Sequence, residues 1–239
     1  MKLKLLLFVC LLGISITANG VLMYYFISRE RGIFSKRHRR EIVLDIKKKR
    51  SNNNWIVFLG NSITERNDWV NKYHDKDVIN LGKGGDTVEG VLFRLDEAIQ
   101  LEPAKIFLLI GINDIRYGLK KSVIIDNYDL LIRIIKEKSP YTELYVQSVF
   151  PLIEKSEHSQ QATNEKIVDI NQSIKRLTDI YGIQYVDLYG FFTFHSQLKP
   201  EYTDDGLHLN EKGYKLWERV IHGFVYSNDT GLNMYKPKN

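Results

Sequence analysis

Residues 55–64 read WIVFLGNSIT: five apolar residues followed by a glycine, an asparagine and a serine. The apolar run has no charge and has the length of a strand that is buried on both faces of a parallel sheet. Gly60 allows the chain to turn sharply after that strand. A helix that begins near Ser62 would expose its hydroxyl and leave its backbone N–H without an intrahelical partner. The alternative is that Ser62 or Thr64 serves only as the N-cap of that helix.

Four further apolar runs share the character of the first. The five predicted strands occupy residues 55–59, 78–81, 105–110, 144–149 and 184–188. Between them, apolar residues recur every three or four positions over residues 88–99, 124–135, 167–177 and 214–224, which predicts amphipathic helices. Strands that alternate with helices indicate βαβ units. We therefore expect an α/β fold, a three-layer α/β/α sandwich around a five-stranded parallel sheet.

The net charge of +5 is concentrated outside the predicted sandwich. Residues 29–50 contribute +7, and Lys2 and Lys4 add two more, which leaves −4 for residues 51–239. A mildly acidic globular part argues against nucleic acid as a partner. Cys10 is the only cysteine, so no disulfide can form within the chain.

Residues 5–27 form a run of 23 residues without a charge, which is long enough to span a bilayer. We expect a membrane anchor in segment 1–28; a secretory signal cleaved near residues 18–20 is the alternative. A basic juxtamembrane linker at 29–52, a globular domain at 53–226 and a polar tail at 227–239 complete the predicted organisation. We place the globular domain outside the cytoplasm, or secreted after cleavage, although the basic linker would favour the cytoplasmic side.

Two polar loops follow the second and third predicted strands. Residues 80–87, NLGKGGDT, contain three glycines in four positions, and Asp86 could cap the next helix. A simple glycine-rich turn or a phosphate cradle are the alternatives, although the P-loop spacing is absent. Residues 111–114, GIND, place Asn113 where its amide could donate to a negative oxygen. An ordinary Asx-turn would explain the same residue.

A fourth loop, Asp205-Gly206-Leu207-His208, precedes the last amphipathic helix. A carboxylate that accepts the Nδ1–H of an imidazole leaves Nε2 free to act as a base. Asp205 is better spaced for this role than Asp204. We interpret the other histidines as structural or solvated; these are His38, His74, His158, His195 and His222. Ligands bind beyond the carboxyl ends of parallel strands, so the four loops together predict serine-based acyl transfer.

The four loops resemble the four sequence blocks of the SGNH hydrolases, or GDSL-type esterases, across residues 53–226. The second and fourth blocks are most similar to the branch of platelet-activating-factor acetylhydrolase subunits and bacterial carbohydrate acetylesterases. The chain has Asn61 where the name-giving pattern has Asp. The resemblance implies a flavodoxin-like sheet with the strand order 2-1-3-4-5.

The resemblance also implies a role for each block. Ser62 would be the nucleophile, His208 the general base and then the general acid, and Asp205 the residue that orients His208. The oxyanion hole would combine the backbone N–H groups of Ser62 and Gly85 with the side-chain amide of Asn113. No metal or organic cofactor is implied.

We therefore expect a serine ester hydrolase that removes a short acyl group, namely acetyl from a carbohydrate or a similar small ester. A membrane-tethered lipase or lysophospholipase is the main alternative. An acyltransferase and a non-catalytic binding module are two further alternatives. Segments 150–163 and 191–203 are expected to form walls of the substrate site.

Overall fold

The computed structural model describes residues 54–227 of the chain. Five strands form one parallel sheet: β1 (Ile56–Gly60), β2 (Val78–Gly82), β3 (Lys105–Leu109), β4 (Glu143–Gln147) and β5 (Gln184–Val186). Their order across the sheet is β2-β1-β3-β4-β5, which confirms the expected order 2-1-3-4-5. The predicted anchor at 1–28, the linker at 29–52 and the tail beyond residue 227 lie outside the described residues.

Nine α-helices and a short 3-10 helix at Pro200–Tyr202 accompany the strands within residues 54–227. In chain order, the α-helices are α1 (Ser62–Glu65), α2 (Trp69–Lys72), α3 (Val88–Phe93), α4 (Leu95–Ile99), α5 (Ile112–Arg116), α6 (Lys121–Lys138), α7 (Asn164–Tyr181), α8 (Tyr189–Phe192) and α9 (Glu211–Val225). The long helices α6, α7 and α9 contain three of the four predicted apolar stripes. No helix in this part of the chain has the length and apolar character that a membrane crossing requires.

Aromatic side chains fill the space between the sheet and the layer formed by α2 and α9. Phe58 of β1 stacks on Phe107 of β3 with ring centres 5.1 Å apart, and on Trp69 of α2 at 3.9 Å. Trp69 meets Trp217 of α9 edge to face at 4.8 Å. Because side chains alternate across a strand, the aliphatic neighbours of Phe58 point to the opposite face. Every residue of β1 and β3 is buried, so both faces of the sheet are covered.

The predicted helix over residues 88–99 is in fact two short helices, α3 and α4. They are separated at Arg94, whose backbone is not helical. The Arg94 side chain is buried and turns back to bond Asp86 and the carbonyl of Gly60. The apolar spacing continues across the break, which explains why the sequence predicted one element.

Segment 191–203 contains an antiparallel ribbon that the sequence pattern did not predict. Strands β6 (Thr193–Phe194) and β7 (Gln197–Leu198) pair across a two-residue turn. His195 and Ser196 in that turn have φ angles of 46° and 60°. Neither residue is the glycine or asparagine that usually marks such a turn, so the usual sequence signal is missing.

Candidate active site

Ser62 is the first residue of α1, directly after β1. Asn61 is the N-cap of that helix, and its Oδ1 accepts a hydrogen bond from the Ile63 N–H at 3.0 Å. The alternative that Ser62 or Thr64 is the cap is therefore wrong. Because Asn61 satisfies the helix end, the hydroxyl of Ser62 is available for other contacts. Its Oγ lies 3.0 Å from Nε2 of His208.

Asp205 holds the other side of the His208 ring. Its Oδ2 lies 2.6 Å from Nδ1 of His208, while its Oδ1 accepts the backbone N–H groups of Leu207 at 2.9 Å and His208 at 2.7 Å. One carboxylate thus fixes both the ring and the turn that carries it. Gly206 has a φ of 82° in this turn, a conformation in which a side chain would be strained.

The electrostatics of this pair determine which nitrogen carries the proton. Burial acts to raise the pKa of Asp205, but the hydrogen bonds from the His208 ring and from two backbone N–H groups outweigh it and lower the pKa to about 2. An ionised carboxylate only accepts hydrogen bonds, so Nδ1 of His208 must donate. Burial lowers the pKa of His208, against the opposing effect of Asp205. At neutral pH the ring is therefore uncharged, and Nε2 can accept the proton of Ser62.

Two backbone N–H groups near Ser62 have no hydrogen-bond partner among residues 54–227. One belongs to Ser62 itself, which as the first residue of α1 has no intrahelical acceptor. The other belongs to Gly85, whose φ of 78° favours glycine. A Cβ built on Gly85 would lie 3.9 Å from the hydroxyl of Tyr117, an exposed side chain that borders this loop.

Asn113 lies in α5 and is almost fully buried. Its Nδ2 donates to the backbone carbonyl of Asp86 at 2.9 Å, and its Oδ1 accepts from Nη1 of Arg116 at 2.9 Å. The Asx-turn interpretation is therefore wrong, because the amide oxygen bonds a guanidinium and the amide nitrogen bonds another loop. One hydrogen of Nδ2 remains for a further acceptor.

The second loop, residues 80–87, is stabilised by contacts other than the ones that the sequence predicted. Asp86 does not cap α3; Thr87 does, with its Oγ1 accepting from the Gly90 N–H at 3.1 Å. Asp86 instead forms a buried ion pair with Arg94, with Nε and Oδ2 2.6 Å apart. Arg94 also donates to the carbonyl of Gly60 at 3.0 Å. The pair therefore joins the loop of Gly85 to the end of β1, next to Ser62.

Asp114 bonds the residue that follows this loop. Both of its carboxylate oxygens lie 3.1 Å from the backbone N of Val88, the first residue of α3. The side chain is fully buried, and this burial raises the pKa of Asp114 to about 6 despite the opposing hydrogen bond from Val88. No pattern in the sequence indicated a role for this carboxyl.

His158 lies beside the site, although its sequence context suggested a structural or solvated residue. Its Nε2 is 3.7 Å from Oδ2 of Asp205, and its ring centre is 6.0 Å from that of His208. The segment that carries it also touches the catalytic loop, since the N–H of Ile153 donates to the carbonyl of Gly206 at 2.8 Å. The prediction that segment 150–163 forms a wall of the substrate site was the sequence signal that could have pointed to His158.

Comparison with known proteins identifies the family of this chain. Residues 51–216 match the model of the GDSL-like Lipase/Acylhydrolase family. Platelet-activating factor acetylhydrolase IB subunit alpha2 of Homo sapiens is 26% identical over 197 residues, covering 79% of this chain and 81% of that protein. A Streptococcus pneumoniae structure described as a platelet activating factor has 28% identity and a TM-score of 0.71, covering 81% of this chain and 94% of its own.

A Bacteroides fragilis structure described as an acylhydrolase is similar over a shorter part of this chain. It has 26% identity and a TM-score of 0.66, covering 74% of this chain and 89% of its own. The family match spans more than half of the chain and includes all four loops of the site. The chain belongs to the GDSL-like lipase/acylhydrolase family and is a serine ester hydrolase.

Proposed function

We propose that the protein hydrolyses esters of short acyl groups through an acyl-serine intermediate, with Ser62 as the nucleophile. The observation that carries the proposal is the unbroken hydrogen-bonded chain from Asp205 through His208 to the Ser62 hydroxyl. The N–H groups of Ser62 and Gly85 and the free amide hydrogen of Asn113 form the oxyanion hole. No metal or organic cofactor takes part.

The reaction has two steps in which His208 moves one proton each way. Ser62 Oγ attacks the ester carbonyl carbon while its proton passes to His208 Nε2. The bond to the leaving alcohol breaks, and Nε2 returns the proton to the alcohol oxygen. A water molecule then attacks the acyl-serine, again giving its proton to Nε2, and the acid leaves as Ser62 regains its hydrogen. Asp205 stays ionised throughout and stabilises the imidazolium.

The preferred substrate is an acetyl ester of a carbohydrate or a similar small alcohol. Three observations support a short acyl group: the resemblance of the second and fourth loops to the acetylhydrolase branch, the acetylhydrolase relative at 26% identity, and short loops after β1 and β3 that provide little wall for a long chain.

A lipase or lysophospholipase acting at a membrane surface is the second candidate, because the charge-free run at residues 5–27 could hold the enzyme there. Measuring kcat/KM for nitrophenyl esters from acetate to palmitate distinguishes the short-chain esterase from the lipase. We expect the highest kcat/KM with acetate, and release of acetate from an acetylated oligosaccharide. A preference for acyl chains of eight carbons or more would favour the lipase. The matched Ser62→Ala variant should lack turnover in every assay, and retained turnover would refute the nucleophile.

The location of the enzyme is the remaining part of the proposal: anchored by residues 5–27, with the catalytic domain outside the cytoplasm. Support comes from the length of the charge-free run and from the basic start of the chain, which resembles an export signal. Fractionation of cells expressing the full chain should place it with the membranes. Protease added to intact cells should then digest the catalytic domain. A soluble protein with a shortened N-terminus would instead indicate cleavage.

A further inference from the structure

The guanidinium of Arg116 lies between two parts of the active site. Arg116 is the last residue of α5, three positions after Asn113. Its Nη1 donates to Oδ1 of Asn113 at 2.9 Å, and its Nε donates to the carbonyl of His158 at 2.6 Å. We infer that Arg116 is a positioning residue, which fixes the Asn113 amide in the oxyanion hole and joins it to segment 150–163. The inference rests on the proposed role of Asn113.

The first contact determines which way the amide faces. The oxygen and the NH₂ group of an asparagine are nearly equal in size, so only their hydrogen-bond partners distinguish them. In the reversed orientation, the NH₂ of Asn113 would face the donors of Arg116 and its oxygen would face the carbonyl of Asp86. Both contacts would then be repulsive. Arg116 and Asp86 together therefore enforce the orientation in which one amide hydrogen is left for the substrate oxyanion.

The charge of Arg116 adds a second effect on the same amide. A cation at the amide oxygen draws electron density from the nitrogen, which makes the remaining N–H a stronger donor. Asn113 is almost fully buried, so solvent screens this polarisation only weakly. A negative charge that develops on the substrate oxygen in the transition state would benefit most. The ground-state carbonyl, which carries little charge, would benefit less.

The second contact connects the oxyanion side of the site to its acid–base side. Segment 150–163 has no helix or strand of its own, and Arg116 bonds it at His158. The same segment reaches the catalytic turn, since Ile153 bonds the carbonyl of Gly206 and the His158 ring approaches Asp205. Arg116 thus holds one end of a connection whose other end is the turn that carries His208.

The test is a set of kinetic measurements on the full chain with nitrophenyl acetate. Arg116→Met, which keeps most of the side-chain length but no donor, should lower kcat by about tenfold or more, since loss of a whole oxyanion donor costs about 10²–10³. KM should change by less than about threefold, because the contact acts on the transition state. Arg116→Lys keeps the positive charge and can donate to one of the two acceptors, so its kcat should lie between those of Arg116→Met and the wild type.

A double-mutant cycle separates positioning from a general structural role. In an Asn113→Ala background there is no amide to orient, so Arg116→Met should cause almost no further loss of kcat. Arg176→Met is the matched control: its guanidinium bonds Ser173 within α7, and kcat should stay at the wild-type value. Thermal unfolding of every variant shows whether a loss of kcat comes from a loss of folded protein. If Arg116→Met does not fold, Arg116→Lys takes its place in the cycle.

Three outcomes would overturn the inference while leaving the proposed function intact, provided that Ser62→Ala is inactive. These are wild-type kcat in Arg116→Met, an effect confined to KM, and an equal loss of kcat in the presence and absence of the Asn113 amide. Turnover in Ser62→Ala would instead refute the proposed nucleophile, and the inference with it. A loss of kcat that disappears in the Asn113→Ala background supports it.

Discussion

Ser62 Oγ and His208 Nε2 lie 3.0 Å apart, although the two residues are separated by 146 positions in the chain. Ser62 follows the interior strand β1, whereas His208 reaches the same edge of the sheet on the loop before α9. Asn210 caps α9 by accepting from the Gly213 N–H at 3.1 Å, so the start of this helix fixes where the loop ends. Sheet topology and one helix cap together create the contact.

Replacing His208 by alanine removes the proton acceptor of Ser62. We expect kcat for nitrophenyl acetate to fall by about 10⁴-fold or more, since members of a triad act as a unit. His74→Ala is the matched control, because His74 is exposed and lies between α2 and β2, outside the predicted walls of the substrate site, and it should keep wild-type kcat. Equal losses in both variants would contradict the assignment of His208.

Replacing Asp205 by asparagine tests how the imidazole is oriented. The amide oxygen can still accept from the backbone N–H of His208, so the turn should survive, but the NH₂ group would favour the wrong tautomer of the ring. We expect kcat to fall by about 10⁴-fold with little change in thermal unfolding. Asp204→Asn should keep kcat within about twofold, because Asp204 contacts Asn210 and not the ring. The reverse result would make Asp204 the orienting residue.

The pH dependence of kcat/KM should show an acid limb set by His208. Only the neutral ring can accept the Ser62 proton, so activity should rise with pH and reach a plateau above the pKa of His208. Burial lowers that pKa, which places the limb below the ordinary value of 6.5. The positive charge of Arg66 also disfavours the imidazolium, so Arg66→Met should move the limb to higher pH. The shift should shrink in high salt, because Arg66 is half exposed. A limb that moves to lower pH would contradict this account.

Replacing Asn113 by alanine removes the side-chain donor of the oxyanion hole. We expect kcat to fall by about 10²–10³, or about 3–4 kcal/mol of barrier, while KM changes little. Steady-state kinetics with nitrophenyl acetate measure both values. Wild-type kcat in this variant would show that the third loop only shapes the backbone.

Asp114 should make the fold less stable as the pH rises. Its pKa is raised from 3.8 to about 6 by burial, so the folded state binds a proton that the unfolded state releases. The stabilisation is complete below the unfolded pKa and is lost as the pH rises through about 6. Relative to Asp114→Asn, the free energy of unfolding of the wild type should fall by about 2–3 kcal/mol between pH 4 and pH 8. Urea unfolding of both proteins measures the difference, and a pH-independent difference would rule out this titration.

Local patterns were enough to predict the sheet and the catalytic blocks. Uninterrupted apolar runs mark β1 and β3, because parallel strands are buried on both faces. Asp205 and His208 are three positions apart, so a short turn suffices to join them. The resemblance to a known family supplied the strand order and the donor roles of Gly85 and Asn113.

Contacts between distant residues account for what the sequence did not reveal. Arg94 breaks a helical stripe because it bonds Gly60 and Asp86, and no periodicity reports a partner 34 positions away. Thr87 replaces Asp86 as the helix cap because Asp86 is engaged by that same arginine. His158 approaches Asp205 only because segment 150–163 folds back over the catalytic turn. Each case is a tertiary interaction that overrides a local preference.

The chain has three tryptophans, and all of them are at most 4% exposed in the fold: Trp55, Trp69 and Trp217. Indole fluorescence shifts to longer wavelength when the ring meets water, so unfolding of this protein should produce a red shift from every emitter at once. The edge-to-face pair of Trp69 and Trp217 joins α2, the helix that follows Ser62 in the sequence, to α9, the helix that follows His208. Tryptophan fluorescence should therefore report the packing of α2 against α9, on which the active site depends. The stability of each variant can be measured in this way without an added dye.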